Sequence, residues 1–149
     1  MGEALSASPP FLQKFQGRFE SILRWPMLDE LWAVLRDNPQ RRWFVYAVGE
    51  AVPVEPLEHA DLLRFIGELD ELLRKDHAED YCGVVYVDDR RNPSLIKVFD
   101  PNNLGASCGS SGQTILPGWV ISELPPCDLP DAFPQTGSRK RWWQKIFGA

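Results

Sequence analysis

The chain has 149 residues, is 44% hydrophobic and 25% charged, and carries a net charge of −5. Those proportions fit one globular domain that buries its own core, and they exclude a disordered, collagenous or membrane-embedded chain. Cys82, Cys108 and Cys127 are too few, and odd in number, for a disulfide-stapled secreted scaffold. No apolar run approaches the ~18 residues of a spanning helix, and the first residues lack the basic start and apolar stretch of a signal peptide, so the expected setting is the cytoplasm.

Residues 1–10 read as a flexible lead-in ending in Ser8-Pro9-Pro10, with Ser8 as a plausible helix cap. From Phe11, the residues Phe15, Phe19, Ile22 and Leu23 recur at helical spacing and predict a helix to about Arg24, ended by Trp25-Pro26. Leu28, Leu31, Trp32 and Leu35 make one apolar stripe and predict a second helix from about Met27 to Asp37-Asn38-Pro39.

Arg42 to Val48 is rich in β-branched and aromatic residues on both alternating sets, the pattern of a strand covered on both faces. The third helix, from about Pro56 to Lys75, carries the stripe Leu62, Phe65, Ile66, Leu69, Leu72 and Leu73. Asp70 with Arg74, and Glu71 with Lys75, stand four apart in the favourable order on its outer face. Strands are predicted at Tyr81 to Asp88, Leu95 to Asp100 and Gly118 to Leu124, the first two joined by the hairpin loop Asp89-Arg90-Arg91-Asn92-Pro93.

The order ααβαβββ predicts an α+β fold: a small, mostly antiparallel sheet of about four strands packed against three helices. The first strand, followed by the long helix, is free to join in parallel through a crossover. Residues 11–124 form this single domain. Residues 125–149 hold a proline-rich linker and a short C-terminal amphipathic helix, Ser138 to Phe147, with Ser138 as its cap.

Two stretches invite chemistry. The first is the loop bounded by Asn102 and Asn103 and running through Gly105, Ser107, Cys108 and Gly109. It contains G-x-S-x-G, but no helix follows to make the nucleophile turn that gives that motif its meaning. Cys108 is the better nucleophile, and it needs His59 or His77 to hold its thiolate. Metal ligands are not clustered, the turn Asp100-Pro101-Asn102-Asn103 departs from a calcium loop, and no glycine-rich phosphate loop is present, so no cofactor is implied. The bland reading of this stretch is a polar loop with an incidental cysteine.

The second stretch is the tail, with Arg139, Lys140, Arg141, Trp142, Trp143, Lys145, Ile146 and Phe147 as candidate partner-binding residues. Residues 138–149 hold four cations and no acid, which leaves −9 on the rest of the chain once that +4 is set against the net −5. An acidic body speaks against nucleic acid, because phosphate binding needs cations spread over a face. A helix of this length does not hold itself in water and folds against something. Its own acidic body comes first, then a groove on a partner protein, then an anionic membrane surface. The N-terminal M-G-x-x-x-S pattern, through Gly2 and Ser6, matches a myristoylation signal that would add a second anchor.

With no credible catalytic constellation and a detachable aromatic-basic tail, the sequence points to a non-catalytic accessory or adaptor domain that binds another protein. The alternatives are a thiol enzyme or redox protein using Cys108, and a peripheral membrane protein.

Overall fold

The computed structural model describes residues 9–77, 79–103, 116–129 and 135–147. The elements are α1 (Pro10–Phe15), β1 (Glu20–Ile22), α2 (Trp25–Arg36), β2 (Phe44–Ala47), α3 (His59–Asp76), β3 (Val85–Val87), β4 (Leu95–Val98), a 3-10 turn at Pro101–Asn103, β5 (Trp119–Ser122) and α4 (Gly137–Phe147). The strands make one antiparallel sheet in the order β1-β3-β4-β5-β2. The α+β class and the antiparallel sheet are those expected from the sequence.

Alternation along each strand sends side chains to opposite faces. Val45, Ala47, Val85, Val87, Ile96, Val98, Trp119 and Ile121 enter the main core with the stripes of α2 and α3 and with Ile146 of α4. Tyr46, Leu95 and Val120 point the other way, into a smaller cluster with Phe11 of α1 and with Leu129. The sheet is therefore covered on both sides, as the two apolar sets around β2 require. Each fully buried Leu or Phe contributes roughly 1.5–3 kcal/mol, and α3 places six apolar residues in the core, more than any other element among the described residues.

Two expectations are corrected. The helix from Phe11 to about Arg24 stops at Phe15, and its second half supplies β1 instead. Phe11, Phe15 and Phe19 belong to the smaller cluster, whereas Ile22 lies in the main core beside Val85. One straight helix cannot reach both faces of a sheet, and Gln16-Gly17 is where the chain turns. The second correction concerns β2, which joins antiparallel to β5 rather than in parallel, with Phe44 opposite Ser122. α3 crosses the sheet from β2 at one edge toward β3 near the other, so the crossover does not link neighbours.

Local chemistry sets the boundaries. Pro26 sits in the first turn of α2, where its missing N–H costs nothing, and Asn38 Nδ2 donates to the Val34 carbonyl at its end (2.6 Å). Trp32 Nε1 donates to Asp70 (3.1 Å) and ties α2 to α3, while Arg74 pairs with Asp70 (3.0 Å) four residues away and with Asp29 (2.7 Å) on α2. In the β3–β4 hairpin, Asp88 accepts the N–H groups of Ser94 (2.9 Å) and Leu95 (3.1 Å) and the Ser94 hydroxyl (2.5 Å).

Candidate functional site on the C-terminal helix

Apart from Lys145 in its last turn, the sequence of α4 gives it little local support. It has 11 residues, no acid in its first turn, and three consecutive cations, Arg139, Lys140 and Arg141, at the end where the helix dipole is positive. A local cap at one end and a tertiary contact at the other compensate. Thr136, rather than Ser138, stands at the cap position: its Oγ1 accepts the Arg139 N–H (3.4 Å) and its carbonyl the Lys140 N–H (2.9 Å). At the other end, Arg64 of α3 donates to the Ile146 carbonyl (2.5 Å), one of the carbonyls that a helix end leaves unpaired.

The inward face is aromatic. Phe65 of α3 is surrounded by Trp142, Trp143 and Phe147, with ring centroids 6.0, 5.8 and 6.1 Å away. Trp142 also meets Trp119 of β5 at 5.4 Å, in a tilted arrangement. Such ring pairs add about 0.5–1.5 kcal/mol each beyond the area they bury. Ile146 is buried beneath them.

Arg139 makes the polar half of the attachment. Its guanidinium spans both oxygens of Asp100 (Nε and Nη2, each 2.9 Å) and reaches Asp76 at the end of α3 (2.8 Å). Burial opposes the charge on Arg139, but the hydrogen bond to Asp100 outweighs it, so the net shift is upward and the guanidinium stays ionised. Just before the helix, Gln135 donates to the carbonyls of Val48 (2.9 Å) and Gly118 (3.0 Å), and its N–H to Glu50 (2.8 Å). Gly118 passes so close to Asp100 that an added Cβ would lie 3.2 Å from the Asp100 Cβ. The C-terminal segment thus grips Asp100 and Gly118, which flank the glycine- and serine-rich stretch.

The outward face is cationic. Lys140, Arg141, Gln144 and Lys145 are exposed and fall on one side of the helix, opposite the aromatic residues. Lys140 lies 3.9 Å from Glu50, and among the described residues Arg141 and Lys145 have no ion pair. The eight tail residues singled out in the sequence are therefore divided. Arg139, Trp142, Trp143, Ile146 and Phe147 face the body, and Lys140, Arg141 and Lys145 face solvent.

The other stretch resolves less far. Asn102 sits in the 3-10 turn, where its N–H donates to Asp100 (2.9 Å), and the backbone of Asn103 ends that turn. Gly105, Ser107, Cys108 and Gly109 lie outside the described residues. His59 opens α3 and His77 follows it, so the two are about 27 Å apart along the axis and cannot serve one nucleophile together. His77 packs between the rings of Trp25 and Tyr81. Burial raises the thiol pKa of Cys82, and burial with nearby Asp128 raises that of Cys127.

Elsewhere, an open cleft of about 550 Å³ is lined by Lys14, Arg18, Arg41, Asp88 and Glu123 among others. Its charges largely cancel in place: Lys14 with Asp88 (3.3 Å), and Arg41 with Glu123 through two 2.6 Å bonds. Lys97, half-buried on the smaller-cluster face, holds its ammonium 4.2 and 4.1 Å from the rings of Phe15 and Phe19, and burial lowers its pKa. Among the described residues no three side chains group to hold a metal, and no helix is long and apolar enough to cross a membrane.

The chain matches no family model, no curated protein and no solved structure. Its functional reading therefore rests on its own geometry.

The residues that sequence reasoning missed are Asp76, Asp100, Thr136 and Gln135. The surplus of −9 on the body against +4 on the tail was the signal for the two aspartates. Nothing in the sequence marks Gln135, because its role depends on two carbonyls brought together by the sheet.

Proposed function

We propose that this protein is a non-catalytic accessory domain that binds another protein, and that α4 presents the contact. The observation that carries the reading is the division of α4: its aromatic side is spent on docking, and its other side holds Lys140, Arg141 and Lys145 in solvent. Attachment through Phe65, Asp76 and Asp100 makes that basic face a fixed surface rather than a loose tail, and rigid presentation lowers the ordering cost of association.

The membrane alternative draws less support from this arrangement. An interfacial helix puts its Trp and Phe into the lipid, and here those rings face the core.

The test uses intact, folded baits, since removing α4 would uncover Phe65 and Trp119. Native lysate is passed over the wild-type chain and over Lys140→Glu/Arg141→Glu/Lys145→Glu, whose circular dichroism and melting temperature are checked first. A protein retained by the wild type and lost from the variant, then reconstituted from purified components, supports the reading. Equal retention by both baits removes α4 as the contact.

A further inference from the structure

The outward face of α4 has no apolar side chain, so whatever binds it is recognised by charge and hydrogen bonding. Lys140 with Gln144, and Arg141 with Lys145, are i,i+4 pairs, which sets neighbouring positions about 5–6 Å apart. That spacing is shared by acids four apart on a facing helix and is close to the rise across two residues of an extended strand. Of the three cations, only Lys140 has an acid near it among the described residues, and at 3.9 Å that contact is loose. The rest of the chain carries −9 against the tail's +4, so a long polyanion such as nucleic acid would meet net repulsion beyond the helix, whereas a short acidic segment fits within it.

Resting on the reading of α4 as the contact, we infer that the partner offers a short acidic peptide segment, with Asp or Glu side chains spaced about 6 Å apart along one side, to Lys140, Arg141, Gln144 and Lys145. The cations supply steering and orientation, and Gln144 supplies an uncharged donor and acceptor between them. Arg141 forms the bidentate contact with a carboxylate, a geometry open to a guanidinium and not to an ammonium.

The experiment measures fluorescence anisotropy of a labelled 12-residue peptide alternating Glu and Ser, against the same peptide with Gln for every Glu, on the full chain. The expected result is that the Glu peptide binds at least about tenfold more tightly than the Gln peptide, the sum of several exposed ion pairs. The preference weakens as salt shortens the screening length and vanishes in Lys140→Glu/Arg141→Glu/Lys145→Glu. Arg141→Lys recovers only part of it. Equal binding of the two peptides, or undiminished binding by the variant, overturns the inference. So does tighter binding to phosphatidylserine-containing vesicles than to the peptide, which would assign the face to a membrane. A lysate partner that still depends on the three cations while the Glu and Gln peptides bind alike defeats the acidic-segment inference and leaves the contact reading standing. A partner indifferent to the cations defeats the contact reading itself.

Discussion

Arg139 and Asp100 form a bidentate pair, two 2.9 Å bonds, in which the side chains are only 11% and 5% exposed. Removing one member of so buried a pair leaves the other charge desolvated and alone, a loss of about 3–5 kcal/mol. Arg139→Ala is therefore expected to lower stability by about 3 kcal/mol, with Asp76 offsetting nothing once the guanidinium is gone. Lys140→Ala, one residue away on the exposed side, is expected to stay within about 0.5 kcal/mol of wild type. Urea unfolding of the two variants side by side reads the difference. Equal stabilities would mean that the aromatic contacts alone hold the helix.

Gly67 lies on the exposed face of α3, and nothing stands within 4 Å of where its Cβ would be. Replacing a mid-helix glycine by alanine removes an entropic cost without creating a clash. Gly67→Ala is expected to stabilise the fold by about 0.5–1 kcal/mol, read as a rise in the urea midpoint at unchanged slope. A fall would mean that the backbone at Gly67 departs from the regular helical geometry that alanine favours.

Asp88 gives the pH dependence. Burial pushes its carboxyl up, but the hydrogen bonds from Ser94, Leu95 and Lys14 outweigh this, and the net shift is below the ordinary 3.8. A depressed carboxylate contributes stability that is fully present above the unfolded-state value and is lost as pH falls through the lower folded-state value. The stability gap between wild type and Asp88→Asn is expected to be constant from neutrality down to about pH 5 and to close at pH values below about 4. Equilibrium unfolding at a series of pH values measures it. A gap that persists to pH 2 would mean that charge is not what Asp88 supplies.

Cys82 is fully buried and its thiol pKa is raised, so little thiolate forms at neutral pH and none of it is accessible. Its alkylation in the native protein is expected to run at least about a thousandfold slower than that of free cysteine, since it waits for opening of the core. Mass-spectrometric mapping after timed exposure to iodoacetamide separates the three cysteines. Fast labelling of Cys82 would show that the β1–β3 edge opens readily.

The long helices were legible because their stripes satisfy one partner: Leu28 to Leu35 and Leu62 to Leu73 all face the main core. The segment from Phe11 to Leu23 misled because its apolar residues serve two cores on opposite sides of a sheet, and helical spacing is what such a set shows by coincidence. The tail was readable as an amphipathic helix, and its preference for its own body followed from its large aromatic side chains, which commonly tie an end segment down, with the charge contrast consistent with it. The division of its residues between body and solvent was not, since helical phase shows that two faces exist without showing which one docks. Asp100 looked like turn chemistry and is that, with Asn102, as well as the anchor of Arg139.

The cover over Phe65 has a consequence in time. Phe65 is synthesised 77 residues before Trp142, and at ~5–20 residues per second the growing chain spends several seconds with α3 lacking its aromatic lid. Over that interval the apolar surface that later receives Trp142, Trp143 and Phe147 is open to chaperones and to neighbouring nascent chains. The emergence of α4 is thus what closes this surface over Phe65, and a product stalled or terminated before Trp142 would carry it exposed for as long as it survives.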